Sequence, residues 1–218
     1  MGSRKRSDTP VSEMQATAEA TVTPRSTESN SPNVDGMPIR RITVAEYYRM
    51  GEAGIFGPEE RVELVEGELI ARETMNPPHA AIVGRMHDML RGALSDQVWV
   101  RGQLPVVLSD VTEPIPDLSL VCRRDDYYYD AHPIAVDTIA IVEVSDSMLA
   151  FDRGDKLRTY SKAGIIDYWV VDVNARMVEI YREPHDLGYG QRSTFAGGDM
   201  VSFAAFPDVE FSVDELLG

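Results

Sequence analysis

The chain of 218 residues contains a single cysteine, Cys122, so no disulfide bond can form within it. Cys122 lies in an apolar stretch, and we predict that it is a small residue of the core. No apolar run comes near the roughly 18 residues that a transmembrane helix needs. The basic residues Arg4, Lys5 and Arg6 are not followed by an apolar stretch, which argues against a secretory signal peptide. These absences predict a cytoplasmic protein that does not associate with a membrane.

Positive charge is also scarce, because 21 Lys and Arg residues stand against 36 Asp and Glu residues, for a net charge of −15. This balance argues against a general nucleic-acid binder, whose affinity comes largely from cations that neutralise phosphates. It leaves a nuclease open, because bound divalent cations and local groups of Arg and Lys can reverse the potential inside one cleft.

The N-terminal part of the chain has no periodic apolar pattern. Residues 1–37 are rich in Ser, Thr, Glu and Pro, and such a segment buries too little apolar surface to offset its chain entropy. We therefore predict a disordered tail over residues 1–37. Residues 38–218 are predicted to form a single domain, since this length can bury a full core.

Local signals predict two helices and a hairpin in the first part of the domain. Thr43 and Glu46 fit a capping box that begins a helix ending near Ala53. Glu66–Gly67 fits the tight turn of a β-hairpin. A long amphipathic helix is predicted from the Pro77 region to about Ser95.

The remaining segments predict an α/β fold, with a mixed sheet flanked by helices and a C-terminal antiparallel meander. A helix is expected around Lys156 and a short one over Val213–Leu217. The predicted strands are Arg61–Val65, Glu68–Ala71, Val98–Arg101, Val106–Leu108, Leu118–Cys122, Thr138–Ser145, Asp167–Asp172, Val178–Tyr181, Gln191–Phe195 and Met200–Phe203.

Two carboxylates interrupt or border strands that are predicted to be buried. Asp117 opens the strand Leu118–Cys122, and Glu143 lies within the strand Thr138–Ser145. Two carboxylates a few ångströms apart repel each other by about 4 kcal/mol at an effective dielectric constant of about 20. A metal ion, a cation or a shared proton would relieve this repulsion. Hard oxygen ligands are also what a metal that hydrolyses phosphodiesters requires.

The helix after Glu143 carries three polar residues on one face. Asp152, Lys156 and Tyr160 are spaced i, i+4 and i+8, so they are predicted to face the strand ends together. In that arrangement Asp152 would hold Lys156. The alternative is an ordinary helix with an i,i+4 salt bridge between Asp152 and Lys156 and a core tyrosine.

An ordered series of short motifs runs through most of the domain. In chain order it comprises Glu63–Leu69, Pro78–His79, Pro116–Asp117, Glu143–Ser145, Asp152 with Lys156 and Tyr160, Ala163–Ile165 and Asp167–Asp172. Over roughly Ile42 to Leu217 this series resembles the Uma family of restriction endonucleases, which belongs to the PD-(D/E)XK nuclease superfamily.

The resemblance implies a restriction-endonuclease-like core that hydrolyses DNA with Mg²⁺, for which Mn²⁺ would substitute. We also predict that the protein acts as a homodimer. Asp117 and Glu143 would be the metal ligands, and Lys156 would polarise or deprotonate the attacking water. Ser145 stands where the superfamily pattern has a lysine two residues after the glutamate, so Lys156 must reach the site from the following helix. A Pro-Asp dipeptide such as Pro116–Asp117 is by itself weak evidence for the nuclease motif. The chain also contains Pro207–Asp208, which no strand-borne glutamate or helical lysine follows.

Two further residues are candidates for the site. Glu63 could complete an acidic cluster as a catalytic residue, although it could also be an exposed hairpin glutamate. His79 could contact phosphate or orient a carboxylate, but histidine is also common at the start of a helix. Asp152 and Tyr160 are further accessory candidates.

Outside the ordered series, tyrosines and arginines suggest contacts with nucleic acid. Tyr127–Tyr129 could stack on unpaired bases, or form a partly buried lid or an oligomer contact. Arg123–Arg124, Arg153 and Arg158 are the first candidates for cations that face phosphate, although each of them taken singly is more typical of an ordinary surface residue.

The sequence leaves two other functional classes open. A catalytically silent module that keeps the nuclease fold and binds nucleic acid or a protein partner would suit the acidic charge and the loop tyrosines. An enzyme acting on small phosphorylated molecules is the third reading, but the chain has no glycine-rich phosphate loop to support it.

Overall fold

The computed structural model describes residues 33–34, 37–72 and 74–218, and the chain divides into two compact units between Ile39 and Arg40. The described part of the first unit is a small hairpin in which strand β1 (Asn33–Val34) pairs antiparallel with strand β2 (Met37–Pro38). The predicted disordered tail, residues 1–37, lies outside the described residues apart from β1 and Met37, and it stays a prediction. The second unit begins at Arg40, close to the predicted domain start at residue 38.

The second unit is an α/β fold built around a mixed sheet of six strands, and the predicted fold class is confirmed. Its helices are α1 (Val44–Glu52), α2 (Pro77–Leu94), α3 (Leu149–Phe151), α4 (Leu157–Lys162) and α5 (Val213–Leu217). Its strands are β3 (Val62–Val65), β4 (Glu68–Ala71), β5 (Val98–Gly102), β6 (Leu118–Cys122), β7 (Thr138–Ser145), β8 (Asp167–Asp172), β9 (Met177–His185), β10 (Gly188–Phe195), β11 (Met200–Val201) and β12 (Phe211–Ser212). A 3₁₀ turn (Ala135–Asp137) and a π-helical segment (Asp152–Lys156) complete it.

The six strands lie in the order β10-β9-β8-β7-β6-β5, so each strand neighbours the next one along the chain. All neighbouring pairs are antiparallel except β7 and β8, which are parallel. A parallel pair needs a crossover connection. Here the crossover contains α3, the π-helical segment and α4. The topology therefore brings the helix that carries Lys156 back along the sheet beside the strand that carries Glu143.

Hydrophobic clusters cover both faces of the sheet. The larger one joins α2 and α5 to the sheet and includes Met86, Leu90 and Trp169. The smaller one lies beside α4 and includes Tyr160 and Tyr168. All six residues of β8 are buried, as expected for a strand covered on both sides. This is why the central strands carry almost continuous apolar runs.

The hairpin of β3 and β4 follows from its turn residues. Glu66 and Gly67 have φ angles of 51° and 76°, and two successive positive φ values define the turn type that suits the twist of a tight hairpin. A Cβ atom at Gly67 would lie 2.4 Å from Cβ of Arg41. Glycine is therefore required there both for backbone conformation and for space, and the predicted hairpin is confirmed.

The helix predicted around Lys156 is interrupted by a π-helical turn. α3, Asp152–Lys156 and α4 follow one another without a break, and Gly164, with φ 78°, ends the run as predicted. A π turn adds one residue to a helical turn and is frequent at functional sites. Asp152 and Lys156, at the two ends of this turn, are both buried.

The capping box at the start of α1 is present as predicted. The backbone N–H of Glu46 donates to Oγ1 of Thr43 at 3.2 Å, and the N–H of Thr43 donates to the Glu46 carboxylate at 3.0 Å. Replacing Thr43 by alanine removes one of these bonds, so we expect the free energy of unfolding to fall by about 1 kcal/mol. Urea denaturation measures this loss. Thr43→Ser keeps the hydroxyl and is the control, and an equal loss in both variants would contradict the capping role.

Three local predictions are wrong. Cys122 is exposed rather than part of the core, because it is the last residue of β6, where the chain leaves the covered part of the sheet. Val106–Leu108 is not a strand, and Val107 forms only an isolated bridge to Ile134. The strand predicted over Met200–Phe203 shortens to β11, which pairs with β12 outside the main sheet.

In the described part of the chain, no helix is both long and apolar enough to cross a membrane.

Candidate active site

Asp117 and Glu143 lie side by side on neighbouring strands. Asp117 immediately precedes β6 and Glu143 lies in β7, and these two strands pair antiparallel. The backbone N–H of Asp117 donates to Oε2 of Glu143 at 3.3 Å, and the N–H of Val144 donates to Oδ2 of Asp117 at 2.9 Å. Both carboxylates are buried. The structure therefore brings together two acids that are 26 positions apart in the chain.

Lys156 joins these acids from the crossover helix. Its Nζ atom lies 2.9 Å from Oε1 of Glu143 and 3.1 Å from Oε1 of Glu63. Burial disfavours the ammonium, but the carboxylates of Glu143, Glu63 and Asp152 outweigh it and raise the pKa of Lys156 above its ordinary value. Lys156 is therefore held as a cation between two carboxylates.

Glu63 is a buried member of this cluster, 2% exposed, so the alternative of an exposed hairpin glutamate is wrong. Its Oε2 atom accepts a hydrogen bond from the N–H of Ile115 at 2.8 Å. The segment before β6 covers this face of the hairpin, and Leu64 is bridged to Glu113. Glu63 is thereby turned towards Lys156 instead of solvent.

Tyr160 and Glu143 are joined by a short hydrogen bond. The Tyr160 hydroxyl donates to Oε1 of Glu143 at 2.6 Å. Burial and the Glu143 carboxylate raise the pKa of Tyr160 well above its ordinary value, so the hydroxyl keeps its proton. The pKa of Glu143 is raised to about 8, and burial is the main cause. The Lys156 ammonium opposes this rise, whereas the carboxylates of Asp152, Asp117 and Glu63 add to it.

Asp152 lies at the same site but does not hold Lys156 as predicted. Among the described residues, Lys156 forms its ion pairs with Glu143 and Glu63, and the alternative of an i,i+4 salt bridge with Asp152 is therefore also wrong. The π turn changes the relative direction of the two side chains from that of a regular α-helix. Burial raises the pKa of Asp152, with Lys156 opposing it.

His79 contacts Asp117 from the first turn of α2. Its Nε2 atom lies 3.2 Å from Oδ1 of Asp117. Burial lowers the pKa of His79, but the Asp117 carboxylate outweighs it and leaves that pKa raised. Burial likewise opposes the ionised form of Asp117, but the neighbouring His79 imidazole, the N–H of Val144 and the Gln103 amide outweigh burial and lower the pKa of Asp117.

Two polar contacts of this site were missed in the sequence. Gln103 follows β5 with a φ of 52°, and its Nε2 donates to Oδ1 of Asp117 at 3.2 Å. Asn76 caps α2 by accepting from the N–H of His79 at 3.1 Å, and it also contacts Asp146. Asn before proline is a helix-start signal that could have identified Asn76. No local pattern marks Gln103.

These side chains line one central cavity, which is bounded by the β3–β4 hairpin, the start of α2, the ends of β6 and β7 and the crossover helix. Glu63, Asp117, Glu143 and Asp152 face it, with Lys156 and His79 as balancing groups. Its volume is about 80 Å³, several times the roughly 10–15 Å³ that a cavity needs to hold one water molecule. Asp146, Arg61 and Arg72 also line the cavity, so five carboxylates face three permanently charged basic groups and one imidazole.

The side chains at the central cavity suit Mg²⁺ better than a metal ion whose ligands all come from the protein. Within residues 37–72 and 74–218, no three His, Cys, Asp or Glu side chains form a cluster that could hold a metal ion. Mg²⁺ does not need such a cluster, because it prefers oxygen and keeps several waters beside one or two carboxylates. Asp117 and Glu143 supply two adjacent carboxylates, so the residues present suit that ion.

The arginines predicted to face phosphate do not line the central cavity. Arg153 pairs with Asp172 and Glu179, and Arg158 pairs with Asp155. Arg123 lies over the Trp99 ring, 3.9 Å from its centroid, and Arg124 pairs with Asp126. The basic side chains at the cavity, besides Lys156 and His79, are those of Arg61 and Arg72.

The three consecutive tyrosines also lie away from the central cavity. Tyr128 is buried, and its hydroxyl donates to the carbonyl of Cys122 at 2.7 Å. Tyr127 packs on Trp99 with ring centroids 4.5 Å apart, while Tyr129 is 89% exposed. They lie beyond Cys122, at the end of β6 opposite Asp117.

Comparison with known proteins adds a family and a fold. Residues 44–214 match the family model described as "Uma2: Putative restriction endonuclease". The fold is similar to the crystal structure of a "putative nuclease belonging to DUF820" from Anabaena variabilis ATCC 29413, with a TM-score of 0.62 and 18% identity, covering 81% of this chain and 97% of that chain. No curated protein matches the chain.

Proposed function

The chain belongs to the Uma2 family, and from this premise we propose that it is a metal-dependent endonuclease that hydrolyses phosphodiester bonds in DNA. The observation that supports the proposal most directly is the meeting of Asp117, Glu143 and Lys156 in one cavity. They come from three separate segments of the chain, and their contacts are 2.9 Å between Lys156 and Glu143 and 3.3 Å between Glu143 and the Asp117 backbone.

Asp117 and Glu143 would hold the Mg²⁺ ion, which supplies a Lewis acid for the phosphate and lowers the pKa of bound water. His79 and Gln103 contact Oδ1 of Asp117, so they orient that carboxylate. Tyr160 orients Glu143 through its hydroxyl. Rigid support of this kind keeps ligands in position.

Lys156 would act as a fixed cation that polarises the attacking water and offsets charge on the phosphate. Two roles were predicted for it, polarising the water and deprotonating it. Its position between the carboxylates of Glu143 and Glu63 favours the first, because both stabilise the ammonium. Glu63 assists by holding Lys156 in place, and Asp152 adds negative charge to the same wall.

The second candidate function is a catalytically silent module that binds nucleic acid or a protein partner. The net charge of −15 favours a protein partner for such a module, since an acidic surface repels DNA. The two functions differ in whether the acids bind a divalent ion.

Titration calorimetry with Mg²⁺ and Mn²⁺ separates these two functions. We expect the wild-type protein to bind both ions and Asp117→Ala to lose this binding, because one of two carboxylate ligands is gone. Incubation of the wild type with DNA and Mg²⁺ should give cleavage products, and EDTA should stop their formation. A wild-type protein that binds no ion and leaves DNA intact would support the silent module instead.

The predicted homodimer stays a prediction. Sedimentation equilibrium of the purified chain tests it directly, with and without DNA.

A further inference from the structure

A second pocket adjoins the central cavity and shares a wall with it. We call it the side pocket, and it is lined by Tyr47, Phe56, Glu60, Arg61, Val62, Arg72, Gln103 and Ile115. Arg61, Arg72 and Gln103 also line the central cavity. Because Gln103 donates directly to Asp117, the side pocket is separated from a proposed metal ligand by one side chain.

The shared wall carries two cations that have no ion pair among residues 37–72 and 74–218. Arg61 and Arg72 are neighbours at the open end of the β3–β4 hairpin, where the N–H of Arg72 donates to the carbonyl of Arg61 at 2.8 Å. Arg61 is exposed and Arg72 half-buried. Since neither arginine has an ion-pair partner in that part of the chain, both guanidinium groups are available for an anion, and the planar fork of arginine matches phosphate oxygens.

Aromatic rings also line the side pocket. Tyr47 and Phe56 pack together with ring centroids 5.5 Å apart, and Tyr47 is fixed by a 2.9 Å hydrogen bond from its hydroxyl to the carbonyl of Val62. The pocket volume is about 310 Å³, at the lower end of the roughly 300–1,000 Å³ typical of small-molecule sites. A planar base can pack against aromatic rings whatever its identity.

We propose that the side pocket is a nucleotide subsite, in which Arg61 and Arg72 bind a backbone phosphate and the Tyr47–Phe56 wall receives the adjoining unpaired base. Glu60 and Gln103 supply polar groups for the edge of that base. The subsite rests on the proposed function, because the strand it holds would run on into the central cavity.

The subsite also specifies the class of substrate. A base inside a duplex has both faces stacked and its edge paired, so it cannot reach a pocket wall. The subsite therefore selects a strand whose nucleotide is unpaired, either single-stranded or displaced from a helix at a frayed or distorted position.

Binding experiments in the Asp117→Asn background test the base contact without hydrolysis. Fluorescence anisotropy compares a single-stranded oligonucleotide, the same strand with every base removed, and the duplex. We expect the intact strand to bind about ten-fold more tightly than the abasic strand, and more tightly than the duplex. Phe56→Ala should remove most of this preference, whereas Tyr129→Ala, which changes an exposed tyrosine outside the pocket, should keep it.

The phosphate contact has its own measurement. For single strands the slope of log K against log salt changes by about 0.7 for each phosphate that is neutralised, so Arg61→Ala with Arg72→Ala, which removes the contact with one phosphate, should reduce the slope by about 0.7. Arg91→Ala is the matched control. It lies about 18 Å further along α2 than His79, at the helix rise per residue, and should leave the slope unchanged.

The outcomes separate the subsite from the proposed function. Cleavage of DNA by the wild type, together with equal binding of intact and abasic strands, would overturn the subsite and leave the nuclease standing. The abasic strand tests the base contact even if Phe56→Ala fails to fold. A preference for bases that depends on Phe56 in a wild-type protein that never cleaves DNA would support the subsite and overturn the nuclease. If Tyr129→Ala removes the preference for the intact strand and Phe56→Ala keeps it, the subsite is overturned.

Discussion

Replacing Asp117 or Glu143 by alanine is expected to reduce metal-dependent cleavage of DNA at least about a hundred-fold, because a metal centre supplies several kcal/mol of transition-state stabilisation. Each carboxylate is one of the two proposed ligands in the central cavity. Among the described residues no three His, Cys, Asp or Glu side chains form a cluster that could hold a metal ion, so we expect no other acid to substitute for either ligand. A plasmid-nicking assay over a range of Mg²⁺ and Mn²⁺ concentrations measures the loss.

The chain contains its own control for this experiment. Asp208 also follows a proline, but it is exposed and lies outside the central cavity. Asp208→Ala should therefore cleave DNA like the wild type. Asp117→Asn should be as inactive as Asp117→Ala while keeping the size of the side chain, which separates loss of a ligand from loss of packing. Retained cleavage in either alanine variant would rule out the proposed metal site.

Replacing Lys156 by methionine is expected to lower the free energy of unfolding by about 3–5 kcal/mol, because it leaves buried carboxylates without their cation. Glu143 and Glu63 both contact the ammonium, and both are at most 3% exposed. Adding Glu143→Gln to Lys156→Met removes one uncompensated charge, so the double variant should recover part of the loss. Thermal and urea denaturation in EDTA measure all three proteins.

The size of this loss should depend on pH. The pKa of Glu143 is already raised to about 8 in the folded wild type, above the ordinary value of 4.5, so folding favours its protonated form. For such a group, stability is highest below the unfolded pKa and falls as pH rises towards the folded pKa. Without Lys156, which lowers the pKa of Glu143, folding favours the protonated form of Glu143 still more, and Lys156→Met should be closer to the wild type at pH 5 than at pH 8.

A second lysine on the same helical run provides the comparison. Lys162 lies in α4, half exposed, with its nearest carboxylate, that of Glu66, 3.7 Å away. Lys162→Met should change stability by no more than about 0.5 kcal/mol, as exposed ion pairs contribute little. Equal losses at Lys156 and Lys162, or no pH dependence at Lys156, would contradict the buried cation between two acids.

Predictions that depend on a few neighbouring residues succeeded. The capping box at Thr43, the turn at Glu66–Gly67 and the end of the helical run at Gly164 each follow from local hydrogen bonding or a single φ value. The buried strands β7 and β8 were also predictable, because their apolar runs reflect cover on both faces. The meeting of Asp117 and Glu143 was inferred from their place in two successive strands.

Predictions about exposure and long-range pairing were less successful. The arginines judged free for phosphate are occupied, as Arg153 is by Glu179 and Asp172, and Cys122 is exposed. Gln103 could not be identified, because its role comes from the loop that carries it past Asp117. The i,i+4 spacing predicted that Asp152 pairs with Lys156 on a regular α-helix. The π turn between them changes the directions of both side chains.

The sequence by itself determined most of the helices, strands and turns, the buried strands that their apolar runs mark, and the family resemblance. These depend on interactions over a few residues and on motifs in chain order. Only the tertiary structure decided the separations between the charges of the cavity and the ion pairs that Lys156 forms in it. Glu63, Asp117, Glu143 and Lys156 come from a hairpin, two neighbouring strands and a crossover helix, and only the packing of these elements sets their separations. At separations near 3 Å in a buried cavity, the Coulomb energies between these groups far exceed those of the same groups in water.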